Sequence, residues 1–139
     1  MSALEIEFSS IGETTVIKRE DGSIEEITRR EENGSYMTTV TKRFTDKDGK
    51  KILHIRSEMQ NPKDKREVQS EATYKNGEVV YSSLSEEIPY GKRGNRIKYT
   101  TETKDEETSK TYVIYDKYGK VIKEGAFGYD QDFNRVLDR

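Results

Sequence analysis

Residues 66–81 read Arg66-Glu67-Val68-Gln69-Ser70-Glu71-Ala72-Thr73-Tyr74-Lys75-Asn76-Gly77-Glu78-Val79-Val80-Tyr81. Val68, Ser70, Ala72 and Tyr74 alternate with Glu67, Gln69, Glu71 and Thr73, and a period of two marks a half-buried strand. Asn76-Gly77 suits a type I′ turn, whose two central residues both need φ > 0. Val79-Val80-Tyr81 then opens a return strand that is apolar on both sides. The stretch is a β-hairpin.

The rest of the chain repeats this rhythm. Asp21-Gly22, Asn33-Gly34, Asp48-Gly49 and Tyr118-Gly119 are further turn signals, and Asn61-Pro62, the loop 91–94 and Asp105-Glu106-Glu107 are weaker breaks. Successive breaks lie roughly 12 to 16 residues apart, one strand plus one tight turn. The expected fold is all-β, an antiparallel up-and-down meander of nine or ten strands. The strands are expected near 4–9, 14–20, 23–30, 35–45, 51–59, 66–75, 78–86, 96–104 and 110–116, with 120–127 as the tenth. Ile24 and Ile27 fall out of phase, which suggests a bulge or a slipped register. Thr111-Tyr112-Val113-Ile114-Tyr115 is apolar on both sides and predicts burial on two faces, as does Val79-Val80-Tyr81. Residues 130–138 predict a short C-terminal helix, capped by Asp130 or Asp132, with Phe133, Val136 and Leu137 on one face. One domain spans residues 1–139.

Composition limits what such a sheet can bury. Hydrophobic residues make up 30% of the chain and charged residues 37%, a balance close to that of disordered chains. Nine Tyr, four Phe, two Pro and a net charge of only −2 argue for a folded domain. The apolar inventory excludes a thick two-layer core. It leaves an open twisted sheet or a small barrel, the latter closing both edges. This composition is similar to that of spirochaete outer-surface lipoproteins, whose polar sheets meet solvent on both faces; no motif is shared, and no residue role follows. The run from Tyr115 through Gly125 resembles one unit of bacterial hairpin-repeat proteins of the MORN-like kind and spans a single hairpin. There is no Cys, so disulfides and thiolate metal sites are excluded. No run of 18 apolar residues exists for a membrane span. The acidic start Met1-Ser2-Ala3-Leu4-Glu5-Ile6-Glu7-Phe8 lacks the basic and apolar regions of a signal peptide, so a cytoplasmic location is the default expectation.

Chemistry is sparse. His54 is the single histidine, and it lies mid-strand with no partner in sequence for metal or nucleophilic work. The pairs Glu25-Glu26, Glu31-Glu32, Glu86-Glu87 and Glu106-Glu107 are adjacent, so in strands they point to opposite faces. Asp46-Lys47-Asp48-Gly49 lacks the later ligands of a calcium loop and reads as a turn. Regular Thr-x-Thr on successive strands, which a hydroxyl ladder for ice or sugar needs, is absent, and β-propensity accounts for the Thr content. Phosphate-loop, dinucleotide and hydrolase motifs are absent. No cofactor and no metal are expected.

The densest candidate is residues 89–99, which carry four cations and no acid. There Tyr90, Lys92, Arg93, Arg96, Lys98 and Tyr99 could bind an anion or an acidic partner. The slightly acidic chain argues against nucleic acid. The leading expectation is a non-enzymatic structural or interaction protein that self-associates or docks on a protein partner through its sheet face and edges. The alternative is a barrel that holds an anionic apolar molecule, with His54, Arg56, Tyr99 and Tyr115 turned inward.

Overall fold

The computed structural model describes residues 13–32 and 34–138. The expected strand near 4–9 lies outside them. Ten strands follow one another: β1 (Glu13–Lys18), β2 (Ile24–Glu32), β3 (Ser35–Thr45), β4 (Lys51–Asn61), β5 (Arg66–Lys75), β6 (Glu78–Pro89), β7 (Arg96–Lys104), β8 (Glu107–Tyr115), β9 (Val121–Tyr129) and β10 (Arg135–Leu137). Each pairs antiparallel with the next in one open sheet. The barrel is therefore overturned, since β1 and β10 do not meet. Closing it would need an apolar interior that these polar strands do not supply.

Turn chemistry explains the connections. Asn76 and Gly77 both hold positive φ, at 51° and 84°, as a type I′ turn requires. Asp105 and Glu106, at 52° and 65°, adopt the same turn without a glycine. The turns 46–50 and 116–120 are built differently. The leading Asp46 and Asp116 each accept backbone N–H bonds at 2.9 Å from the residues two and four positions on. Only Gly49 and Gly119 in them turn to positive φ.

The same device replaces the expected C-terminal helix. Asp130 Oδ1 accepts N–H bonds from Asp132 and Asn134, both at 2.9 Å, and the chain reverses into β10. Asp130 caps a turn and not a helix. Phe133 occupies the position of Gly49 and Gly119, with φ 62°. The apolar positions at Phe133, Val136 and Leu137 suit a helix face, but the Asp-led reversal between β9 and β10 wins.

Register divides the side chains between two faces. On the inner face one row runs Met37, Met59, Val68, Glu86, Tyr99, Tyr112 and Gly125 from β3 to β9. Another runs Thr14, Thr28, Thr39, Ser57 and Ser70. Thr14 and Thr28 hydroxyls meet at 3.3 Å, and Thr39 and Ser57 at 3.0 Å. The outer face is more polar, although Ile27, Tyr36, Val40, Phe44 and Ile52 interrupt it on β2–β4. β2 is regular, so the phase change between Ile24 and Ile27 is no slip. Ile24 lies on the inner face and Ile27 on the outer. The bulges sit elsewhere, opposite Thr73/Tyr74 and at Ile114/Tyr115. The first leaves Val79 and Val80 exposed, against the expected two-sided burial.

The core lies at one end of the meander. Ile97 (0% exposed), Tyr112 (1%), Ile114 and Phe127 are buried, flanked by Ile88, Tyr99 and Leu137. β9 pairs with β8 only as far as Ala126; Phe127, Gly128 and Tyr129 pair with β10 instead. The sheet thereby curls and lays β10 on the inner face of β6–β8. Leu137 packs on the core, Asp138 N–H donates to Ala126 C=O at 2.9 Å, and Tyr112 donates to Asp138 C=O at 3.4 Å. Thus β8 is covered on one face by a strand, not on two faces under a helix. The described residues of β1–β5 carry no second layer.

Candidate interaction surfaces

Residues 89–99 divide among three places. Tyr90 N–H donates to Asn95 C=O at 2.8 Å, closing a turn whose tip presents Lys92 and Arg93 to solvent. Gly91 and Gly94 both take φ 76°, so glycine is required at each end of that tip. Arg96 and Lys98 lie on the outer face. Arg96 is already engaged, donating to Glu87 Oε2 at 2.7 Å and to Lys65 C=O at 2.5 Å. It ties the turn 62–65 to β6 and β7. Tyr99 lies on the inner face, edge-on to Phe127 at 5.1 Å, with the Arg135 guanidinium 4.2 Å above its ring. Burial raises its phenol above the ordinary value. The nearby Tyr90 phenol adds to that rise.

Arg135 belongs to a cluster that sequence reasoning missed. Glu86 sits on the inner face of β6 and accepts bonds from Arg66 and Arg135 together. Burial alone would raise its pKa, but the two guanidinium bonds overcome this and hold the carboxyl below its ordinary value. The cluster staples β10 to β5 and β6. Nothing in the local sequence joins residues 66, 86 and 135; only the curl of β9 does.

The residues of the alternative ligand reading also separate. His54, Arg56 and Tyr115 face outward and Tyr99 inward. His54 is held between Thr73 Oγ1 (2.9 Å) and Glu71 Oε1 (3.1 Å), a structural bridge on an exposed face. An open groove of about 530 Å³ does lie on the inner face, floored by Ile24, Leu53 and Tyr74 with Arg43 and Lys51 at its rim. Arg43 is paired with Glu26 at 3.5 Å.

The structure adds a segregation of charge that the linear order hides. In a meander, alternate turns gather at opposite ends of the sheet. The turns 62–65, 90–95 and 116–120 share one end and bring Lys63, Lys65, Lys92, Arg93, Lys117 and Lys120 together against Asp64 and Asp116. The opposite end gathers Glu20, Asp21, Asp105, Glu106, Asp130 and Asp132 against Arg19. There Asp46 and Asp48 are balanced by Lys47 and Lys50. Two of the basic turns touch, since a Cβ on Gly94 would stand 3.0 Å from Lys117 Cβ. Between them opens a notch of about 370 Å³, lined by Gly94, Tyr115 and Gly119 together with two cations, Arg96 and Lys117, and two acids, Glu87 and Asp116.

Among the described residues no three His, Asp or Glu side chains gather as metal ligands, and no helix is long and apolar enough to cross a membrane. Comparison with protein-family models, with curated proteins and with solved structures returned no match.

Proposed function

We propose that this protein is a non-enzymatic interaction module that self-associates or docks on a protein partner through its exposed sheet surfaces. The observation that carries this reading is the imbalance of the meander. Burial is concentrated on β7–β9, while the described part of β1–β5 offers a long single layer whose inner face mixes hydroxyls with Ile24, Leu53, Ile55 and Tyr74. Leu84 continues that face at 52% exposure. Exposed apolar area on a rigid sheet is the usual substrate for protein contact. Light scattering over a concentration series in high salt tests it, with hydrogen exchange of the β3–β5 amides in parallel. Association that persists in salt and protects those amides supports the reading; a strict monomer with unchanged exchange at every concentration overturns the self-association.

The groove over Ile24, Leu53 and Tyr74 favours a second reading, an anionic apolar ligand on the open face with its charge toward Lys51. A thermal-shift screen with fatty acids and similar amphiphiles checks it. No shift with any of them, or a shift unaffected by Leu53→Asp, rules it out.

A further inference from the structure

Among the described residues the Phe133 ring joins neither the core nor any ring pair. It is 84% exposed, and it holds a left-handed φ where the three other turns with the same backbone bonds use Gly22, Gly49 and Gly119. An L-residue in that conformation costs about 1–2 kcal/mol. Strain of this kind persists where a side chain is needed for something else. The turn presents the ring beyond the acidic end of the sheet, between Asp130 and Asp132 and Asn134.

The opposite end carries a complement. The notch between turns 90–95 and 116–120 combines the Tyr115 ring and the Lys117 stem. Within it Arg96 is matched by Glu87 and Lys117 stands beside Asp116, so the surplus positive charge comes from the exposed Lys92 and Arg93 of turn 90–95 and from Lys120. Gly94 lets the two turns approach closely there, since a Cβ on it would stand 3.0 Å from Lys117 Cβ. A phenyl ring set among cations gains both burial and cation–π attraction. The chain cannot fill its own notch, because β9 separates the two sites by about 30 Å at roughly 3.3 Å per residue.

We propose that the turn 130–134 of one copy, anchored by Phe133 and flanked by Asp130 and Asp132, docks into the basic notch between turns 90–95 and 116–120 of a second copy. The contact is heterologous, so it builds head-to-tail rows and not closed dimers. A second copy is the occupant that the charges favour, because the acidic turn 130–134 and the net basic turns around the notch occur on the same chain. This inference rests on the interaction reading above but moves the contact from the sheet faces to its ends.

Sedimentation velocity on the full chain tests it at two salt concentrations. In about 0.01 M NaCl charges act over about 30 Å, and in about 1 M over about 3 Å. The expected result is association that grows with protein concentration in low salt and disappears in high salt. Phe133→Gly is expected to abolish it while raising the melting temperature, so the loss cannot be unfolding. Lys92→Glu/Arg93→Glu is expected to abolish it as well. A monomer in low salt overturns the proposal, as does Phe133→Gly with undiminished association. Association that survives both high salt and Phe133→Gly also overturns it and leaves face-mediated contact standing. Binding of a single-stranded oligonucleotide by a protein that stays monomeric assigns the basic turns to polyanions instead, and overturns it too.

Discussion

Gly125→Ala places one methyl group against the best-packed ring in the molecule. Gly125 pairs with Tyr112 across β8 and β9, and the Tyr112 ring lies over its Cα. A Cβ added there would stand 3.0 Å from Tyr112 Cε1, 3.1 Å from its hydroxyl oxygen and 3.2 Å from Cζ. Three such contacts need the ring to move by several tenths of an ångström. The ring has little room, being buried among Ile97, Ile114 and Phe127 with its hydroxyl on Asp138 C=O. Overpacking of this kind costs about 1–3 kcal/mol. The loss of glycine's freedom in the unfolded chain offsets about 0.4–1 kcal/mol. A net loss of about 1–2 kcal/mol remains. With an unfolding entropy of about 2.1 cal/mol/K per residue, that lowers Tm by roughly 3–7 °C. Gly128, on the same strand, meets nothing within 4 Å, so Gly128→Ala keeps only the favourable entropic part. The two substitutions should therefore move Tm in opposite directions, as read by circular dichroism or calorimetry. A Gly125→Ala protein as stable as Gly128→Ala would refute the assignment of Tyr112 and Gly125 as a locked pair.

Other outcomes follow from the same geometry. Glu86→Gln strands the Arg66 and Arg135 guanidiniums and is expected to cost about 1–3 kcal/mol in urea denaturation. Because the folded Glu86 pKa is depressed, its stabilisation is present above the unfolded value and lost as pH falls through the folded one. Stability should therefore decline below about pH 4.5, and the Gln variant should show a shallower decline over that window. Replacing Asp105-Glu106 by Asn-Gly gives the preferred residues for two positive-φ positions and should stabilise by about 1 kcal/mol, again by denaturation. In native-state hydrogen exchange the amides of β7 and β8 should be slowest, with those of β2 and β3 at least about tenfold faster, since burial is concentrated on the former.

The turns and the strand phases were legible because both are local. Asn76-Gly77 and the alternation from Val68 to Tyr74 needed no partner to be read. The Asp-led turn at 130–134 was not legible, because its usual glycine is replaced by Phe133 and the flanking apolar spacing also suits a helix. The phase change in β2 misled for a related reason. In a single-layer sheet Ile24 and Ile27 can occupy opposite faces, because no thick core forces one register on the strand. The row of one hydroxyl per strand from Thr14 to Ser70 was invisible for a different reason: it exists only once four registers are fixed. The basic loop was visible in residues 89–99, but its neighbours at 62–65 and 116–120 are joined to it by topology alone.

An open meander raises the question of what keeps its edges and faces from open-ended aggregation. Charge on the strands supplies part of the answer, through cross-strand pairs such as Glu26 with Arg43 and Glu87 with Arg96. The exposed Glu26–Arg43 pair adds little stability, at most about 1 kcal/mol, but such pairs make an uncontrolled edge contact leave charges unmatched. The last strand supplies the rest at its own edge, where β10 turns inward and is held by Glu86 and Leu137. At the ends of the strands the charge is partly sorted instead, with cations outnumbering acids in the turns of one end and acids outnumbering cations in those of the other. Mixed charge opposes every contact between copies, whereas sorted charge opposes all but one orientation. That asymmetry between faces and ends is the physical reason to look for assembly along the strand direction.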